Sequence, residues 1–125
     1  MSDTSAGFGR VLVAVYAIFA LAAASRSTYQ LLTRFDEAPL AYLLSALAGA
    51  MYIVATLALA RGSVAIAFVA IGFELIGVLV VGLLTVVDKD LFHDATVWSN
   101  FGQGYGFVPL VLPFIGLWWL RRVTR

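Results

Sequence analysis

Residues 64–87 form an apolar run that is interrupted by one charged side chain, Glu74. A helix needs about 20 mostly apolar residues, rising ~1.5 Å each, to cross the hydrocarbon core of a bilayer. The run reaches that length and is too apolar for a helix that faces water. It predicts a transmembrane helix, and the remaining residues must form a fold that accommodates it.

The composition extends this prediction to the whole chain. Of the 125 residues, 62% are hydrophobic and 12% are charged, whereas soluble domains have about 45–50% apolar and ~25% charged residues. A chain of this length forms one domain. We predict a single membrane domain, residues 1–125, with an all-α fold: an integral membrane bundle of four transmembrane helices in up-down-up-down order.

The expected helices cover about residues 9–33, 39–60, 64–87 and 105–121, with a loop over 88–104. The first apolar run ends at Ala24, so its helix must continue to Thr33 to reach spanning length. Pro39 suits the first position of a helix, and residues 61–63 leave room only for a tight turn. Residues 10–24 also have the pattern of a signal peptide, but we expect this segment to be retained.

Basic residues in the loops predict the orientation. With the N-terminus in the cytoplasm, the inner side carries five arginines and the outer side three basic residues. The inner set is Arg10, Arg61, Arg121, Arg122 and Arg125, and the outer set is Arg26, Arg34 and Lys89. We therefore predict a multi-pass protein of the cell membrane, the inner membrane of a bacterium, with both termini in the cytoplasm.

Glu74 is the main candidate for a functional residue, because a charge at the bilayer centre costs at least ~2.5 kcal/mol. Counting ~1.5 Å per residue from the cytoplasmic end of each helix, Glu74 lies at a height of about 15 Å, Tyr52 at about 12 Å, Tyr16 at about 9 Å and Arg26 at roughly 24 Å. The Arg26 side chain is long enough to extend toward the height of Glu74. We therefore predict that these four residues form a buried polar cluster.

Three interpretations of this cluster remain open. Glu74 and Arg26 could form a structural ion pair that fixes the register of two helices. Glu74 could instead be a proton- or substrate-binding carboxylate in a polar cavity. It could also face a partner protein.

The fourth helix contains two prolines, Pro109 and Pro113, which lack an N–H and leave carbonyl groups free. Gly104 and Gly106 loosen the backbone before them. In a membrane, freed carbonyls need a protein neighbour or a cavity. The pattern predicts either a broken helix that lines a cavity or a kinked helix after a flexible loop.

The loop between the third and fourth helices combines acidic, basic and aromatic residues. His93 and Asp88, Asp90 or Asp94 could bind a divalent ion, but the spacing matches no specific site, and we predict a solvated acidic loop without a metal. Aromatic residues between Phe92 and Phe107 are interleaved with small and polar ones. That pattern is typical of a segment lying in the headgroup region.

Small residues recur every four positions on the first two helices. They are Ala20, Ala24 and Thr28, and then Ala41, Ser45 and Gly49. Such rows let helix backbones approach closely. They predict packing within the bundle, or an interface in a homo-oligomer or a larger membrane complex.

The sequence contains no phosphate loop, nucleophile elbow or metalloprotease motif, so we predict no enzyme and no cofactor. The net charge of +1 gives no reason to expect nucleic acid as a partner; the expected partner is the lipid bilayer. The first functional hypothesis is a small transporter, or a lipid- or small-molecule-binding protein, centred on Glu74. The alternative is a non-catalytic accessory or scaffold subunit of a larger membrane complex.

Three stretches resemble small four-helix integral membrane proteins of actinobacteria. They are residues 35–45 (FDEAPLAYLLS), residues 73–77 (FELIG), and residues 94–99 (DATVWS) with the glycine-rich run into Val108-Pro109-Leu110. The resemblance covers most of the chain. It implies a membrane location and four helices, and it implies no particular activity.

Overall fold

The computed structural model describes residues 3–88, 96 and 98–123, with side chains for all of these except 3–6 and 104–105. Every regular element in these ranges is a helix, which confirms the all-α prediction. The α-helices are α1 (Asp3–Thr33), α2 (Pro39–Arg61), α3 (Val64–Val87) and α4 (Val108–Val123), and two 3-10 helices cover Phe35–Glu37 and Ser99–Tyr105.

Helices α1, α2 and α3 are long and apolar enough to cross a membrane. Large apolar side chains stand on their outer surface; Leu21 and Val69 are each 70% exposed, and Ile76 is 64% exposed. So much exposed apolar surface is typical of a protein surrounded by lipid. These three helices are therefore compatible with a multi-pass membrane protein.

Helix α4 differs from the other three. It has 16 residues and is about 24 Å long at ~1.5 Å per residue. A bilayer core is about 30 Å thick, so α4 alone falls short of a full crossing.

The turn between α2 and α3 takes only two residues. Gly62 ends α2 in the left-handed conformation, with φ of 71°, and its N–H donates to carbonyls of the last turn of α2. The Ser63 N–H donates to the Ala58 carbonyl at 2.8 Å. Glycine adopts this conformation without steric cost, so the chain reverses at once and α3 runs antiparallel along α2.

Helices α1 and α2 pack closely through their small residues. A Cβ atom at Gly49 would lie 3.2 Å from the backbone nitrogen of Ala24. Ala20, Ala41 and Ser45, in the same two rows, are each buried. The rows are thus used largely for packing within the chain.

Residues 98–107, called the folded-back segment below, return along α3 before α4 begins. Trp98 is 2% exposed, and a Cβ at Gly77 would lie 2.6 Å from its ring; the Phe101 ring occupies the corresponding space at Gly82. Gly77 lies ten residues before the end of α3, about 15 Å along the axis. The Trp98 ring therefore reaches well inside the length of α3.

Hydrogen bonds hold this segment in place. The Asn100 N–H donates to the Thr85 hydroxyl oxygen at 2.8 Å, and that hydroxyl donates to the Gly82 carbonyl at 2.8 Å. Asn100 and Phe101 have φ of 51° and 60°, a left-handed conformation that costs about 1–3 kcal/mol for a residue other than glycine. Contacts with α3 compensate for this cost.

One expectation for this part of the chain differs from the structure, and one stays a prediction. The location of the aromatic residues in the headgroup region stays a prediction; the structure shows that the Trp98 ring packs along α3, where Gly77 leaves a recess for it. Helix 4 was expected to begin near residue 105 but begins at Val108. Gly106 and Phe107 have φ of 64° and 60°, and this left-handed pair interrupts the helix. Residues 89–95, with His93, lie outside the described residues.

Replacing Gly77 with Ala tests the position of Trp98. The added methyl group would overlap the ring and displace it, at a cost of about 1–3 kcal/mol in stability. In a chain with Trp118→Phe and Trp119→Phe, Trp98 is the only tryptophan, and its fluorescence reports the change. We expect acrylamide to quench Trp98 more strongly in Gly77→Ala than in the parent chain.

Gly72→Ala is the matched control, because no atom lies within 4 Å of a Cβ at Gly72. It should leave quenching unchanged. Equal quenching in both alanine variants would contradict the packing of Trp98 on Gly77.

Candidate functional site

Glu74 lies on the inner face of α3. Its side chain is 0% exposed, as are Ile71 and Val78 on the same face, whereas Phe73 and Ile76 are 40% and 64% exposed. This alternation follows the helical period, in which residues three and four apart share a face. The one acidic residue of α3 is therefore enclosed by protein.

Two tyrosines lie in the same buried region. Tyr16 on α1 and Tyr52 on α2 are both 0% exposed, and their ring centroids are 6.2 Å apart. The ring centroid of Phe19, also on α1, lies 5.9 Å from that of Tyr52. The Tyr16 side chain faces Glu74, and the two polar groups interact. The structure thus brings Tyr16, Tyr52 and Glu74 together from three helices.

Helix α4 completes the enclosure with a glycine. A Cβ atom at Gly116 would lie 3.2 Å from the Tyr16 hydroxyl oxygen and 3.1 Å from Ile71 Cδ1. A larger residue at position 116 would push the hydroxyl away. Gly116 therefore provides the space in which the Tyr16 hydroxyl faces α3.

Trp98 covers the adjoining part of α3. Its ring packs on Gly77, which is three residues after Glu74 and so nearly one turn along the same side of the helix. The Phe73 ring lies 6.4 Å from that of Trp98. The folded-back segment thereby closes the buried region on the side away from the α2–α3 turn.

The polar atoms of this region are not satisfied by ordinary hydrogen bonds. Neither carboxylate oxygen of Glu74, nor the Tyr16 hydroxyl, meets hydrogen-bonding geometry with any group in the described part of the chain. An unsatisfied buried polar group costs about 1–3 kcal/mol. Such buried groups need an explanation, and a site that takes up a proton or a polar ligand is one explanation.

Arg26 lies outside this cluster. Its side chain is exposed, whereas Glu74 is fully buried. Arg26 is ten residues beyond Tyr16 on α1, about 15 Å along the helix. The structure therefore does not place the guanidinium group of Arg26 beside the carboxylate of Glu74.

The residues expected to break helix 4 lie in different elements of the structure. Pro109 and Pro113 are both buried in α4. Pro109 is the second residue of the helix, where a missing N–H costs little, and a Cβ at Gly102 would lie 2.8 Å from its ring. Gly104 belongs to the 3-10 helix. Gly106 is left-handed and lines a groove between α1 and α4.

The sequence analysis missed three residues of the site. Gly116, Ile71 and Trp98 enclose the buried region. None of them carries a charge, which is the property that identified Glu74 as a candidate in the sequence. Their roles depend on how α4 and the folded-back segment align with α3. Regular spacing within one helix contains no information about that alignment.

A search of protein-family models finds no match to this chain. Neither the curated proteins nor the solved structures contain a significantly similar chain.

Glu74→Leu tests whether the carboxylate supports the fold. The substitution removes two buried oxygens that lack hydrogen bonds, so stability should stay the same or rise by about 1 kcal/mol. Thermal unfolding in detergent, followed by circular dichroism, measures this. Glu37→Leu is the matched control at an exposed carboxylate and should change stability by less than about 0.5 kcal/mol.

A loss of roughly 3–5 kcal/mol in Glu74→Leu would contradict this prediction. That loss is the one expected when one member of a buried ion pair is removed.

Proposed function

We propose that this chain is a small transporter of the bacterial cell membrane that moves protons through Glu74. The observation that carries the proposal is the complete burial of Glu74, with both oxygens outside hydrogen-bonding geometry to the described groups. Ionisable residues inside membrane proteins commonly mark proton or ion pathways. Tyr16, whose hydroxyl interacts with Glu74, is the neighbouring group that would pass or stabilise the proton.

The proposal includes a fourth membrane crossing. Helix α4 is about 24 Å long, and the folded-back segment extends from its beginning along α3. Non-helical backbone at membrane depth is tolerated where it is buried in protein, and Trp98 and Gly102 are buried. The segment and α4 together would cross the bilayer, with both termini in the cytoplasm.

The position of Arg26 favours transport over a structural ion pair. A structural pair would place an arginine beside Glu74, but Arg26 is exposed. A carboxylate that has no fixed cation beside it among the residues described can gain and lose a proton during a transport cycle.

The scaffold alternative has less support. Its docking surfaces were to be exposed rows of small residues, among them the rows on α1 and α2. Ala20, Ala41, Ser45 and Gly49 are buried, and Gly49 lies against the backbone of α1. These residues are therefore not available to a partner protein.

Proton movement into liposomes tests the proposal. The purified chain is reconstituted with a trapped pH-sensitive dye, and a potassium diffusion potential, negative inside, drives proton entry. We expect Glu74→Gln, which keeps the shape but cannot ionise, to reduce the rate about tenfold or more, since the substitution removes the only ionisable carboxylate of α3. Tyr16→Phe should give a smaller reduction.

Glu37→Gln is the matched control, because it removes an exposed carboxylate. It should leave the rate unchanged. A folded Glu74→Gln chain that conducts as fast as the unmodified chain would contradict the proposal, as would a rate for the unmodified chain equal to that of empty liposomes.

A further inference from the structure

Helices α1 and α4 leave an open groove between them. The sequential pairs α1–α2, α2–α3 and α3–α4 pack along each other, whereas α1 and α4 meet at few positions. One such position is Gly9, where a Cβ would lie 2.7 Å from the Trp119 ring. Beside it the groove has a volume of about 400 Å³ and apolar walls, which include Phe8, Val11, Val15, Val111, Leu112 and Ile115.

The groove leads to a basic, aromatic surface at the C-terminal end of α4. Val111, Ile115, Trp118 and Arg122 follow each other at spacings of four, three and four residues, so they lie on one face of the helix. The Phe8 ring contacts Trp118 edge-on at 6.0 Å. The Arg122 guanidinium lies over the Trp118 ring at 5.4 Å. We call the C-terminal end of α4, with Arg121 and Arg122, the arginine end. The apolar groove and the arginine end therefore form one continuous surface.

The arginine end has its own shallow pocket. Leu117, Trp118, Arg121 and Arg122 line it, and both arginines are exposed. Guanidinium groups bind phosphate oxygens with two parallel hydrogen bonds, and Trp rings favour the level of the lipid headgroups. This end is suited to an anionic phosphate in a headgroup layer.

We propose that this surface binds one anionic phospholipid, with an acyl chain in the α1–α4 groove and the phosphate on Arg121 and Arg122. From Val108 to Ile115 the groove wall extends about 10 Å along α4, within the ~15 Å depth of one leaflet's hydrocarbon. The lipid belongs to the leaflet that contains the α2–α3 turn.

Charge complementarity favours an anionic phospholipid over a second copy of this chain as the occupant of the groove. A second copy of this chain would bring another pair of arginines to the same end, and like charges repel. An anionic headgroup gains about 1 kcal/mol per nearby basic residue. This site lies on the outside of α1 and α4, away from Glu74, so the proposal is independent of proton transport.

Native mass spectrometry of the purified full chain tests the proposal. The protein is released from detergent micelles that contain equal amounts of phosphatidylglycerol and phosphatidylcholine. We expect the chain to retain one phosphatidylglycerol in preference to phosphatidylcholine. Arg121→Gln with Arg122→Gln should reduce that preference roughly tenfold, and Val111→Trp, which fills the groove, should reduce retention of both lipids.

Arg34→Gln with Arg61→Gln is the charge-matched control, since both arginines are exposed and neither lines the groove. It should keep the preference for phosphatidylglycerol. If both double variants lost the preference for phosphatidylglycerol equally, the proposal would be overturned, because the preference would then depend on net charge and not on this site. A lipid-free dimer that Val111→Trp dissociates would also overturn it, in favour of a second copy as the occupant.

Discussion

An apolar helix that carries one acidic side chain favours turning that side chain toward protein, because hydrocarbon offers it no polar neighbour, whereas the protein here offers Glu74 the neighbouring hydroxyl of Tyr16. This requirement organises the present fold around Glu74. Three helices contribute to its surroundings: Tyr16 from α1, Tyr52 from α2 and Gly116 from α4. The outward neighbours Phe73 and Ile76 remain exposed, as residues in contact with lipid would be. The carboxylate faces inward because every other orientation would place it among apolar side chains or acyl chains.

The enclosure depends on glycines that make room at specific points. Gly49 lets α2 approach the backbone of α1, which brings the Tyr16 and Tyr52 rings within 6.2 Å of each other. Gly77 admits the Trp98 ring, and Gly116 leaves space for the Tyr16 hydroxyl. In membranes, helix association depends on close packing rather than on a hydrophobic driving force. Small residues therefore determine which large side chains can surround the acid.

Much of the framework could be predicted from the sequence, because it depends on local properties. Length and apolarity identify the three long helices, and glycine between Arg61 and Ser63 indicates a reversal. The folded-back segment could not be predicted, since two ring-to-glycine contacts and left-handed residues at Asn100 and Phe101 define it. The position of Arg26 could not be predicted either, because axial distance along a helix does not determine which way a long side chain turns, and the Arg26 side chain is exposed.

Solid-state NMR of the chain in lipid bilayers tests the enclosure of Glu74 most directly. Glu74 is the only glutamate of the Glu37→Gln chain, so labelled glutamate and labelled tyrosine report one carboxyl carbon and its ring neighbours. An enclosed Glu74 predicts a cross-peak from this carbon to a tyrosine ring that disappears in Tyr16→Phe, with slow transfer of magnetisation from acyl-chain protons. Fast transfer from the acyl chains, without a tyrosine cross-peak, would place Glu74 against lipid and contradict the enclosed site.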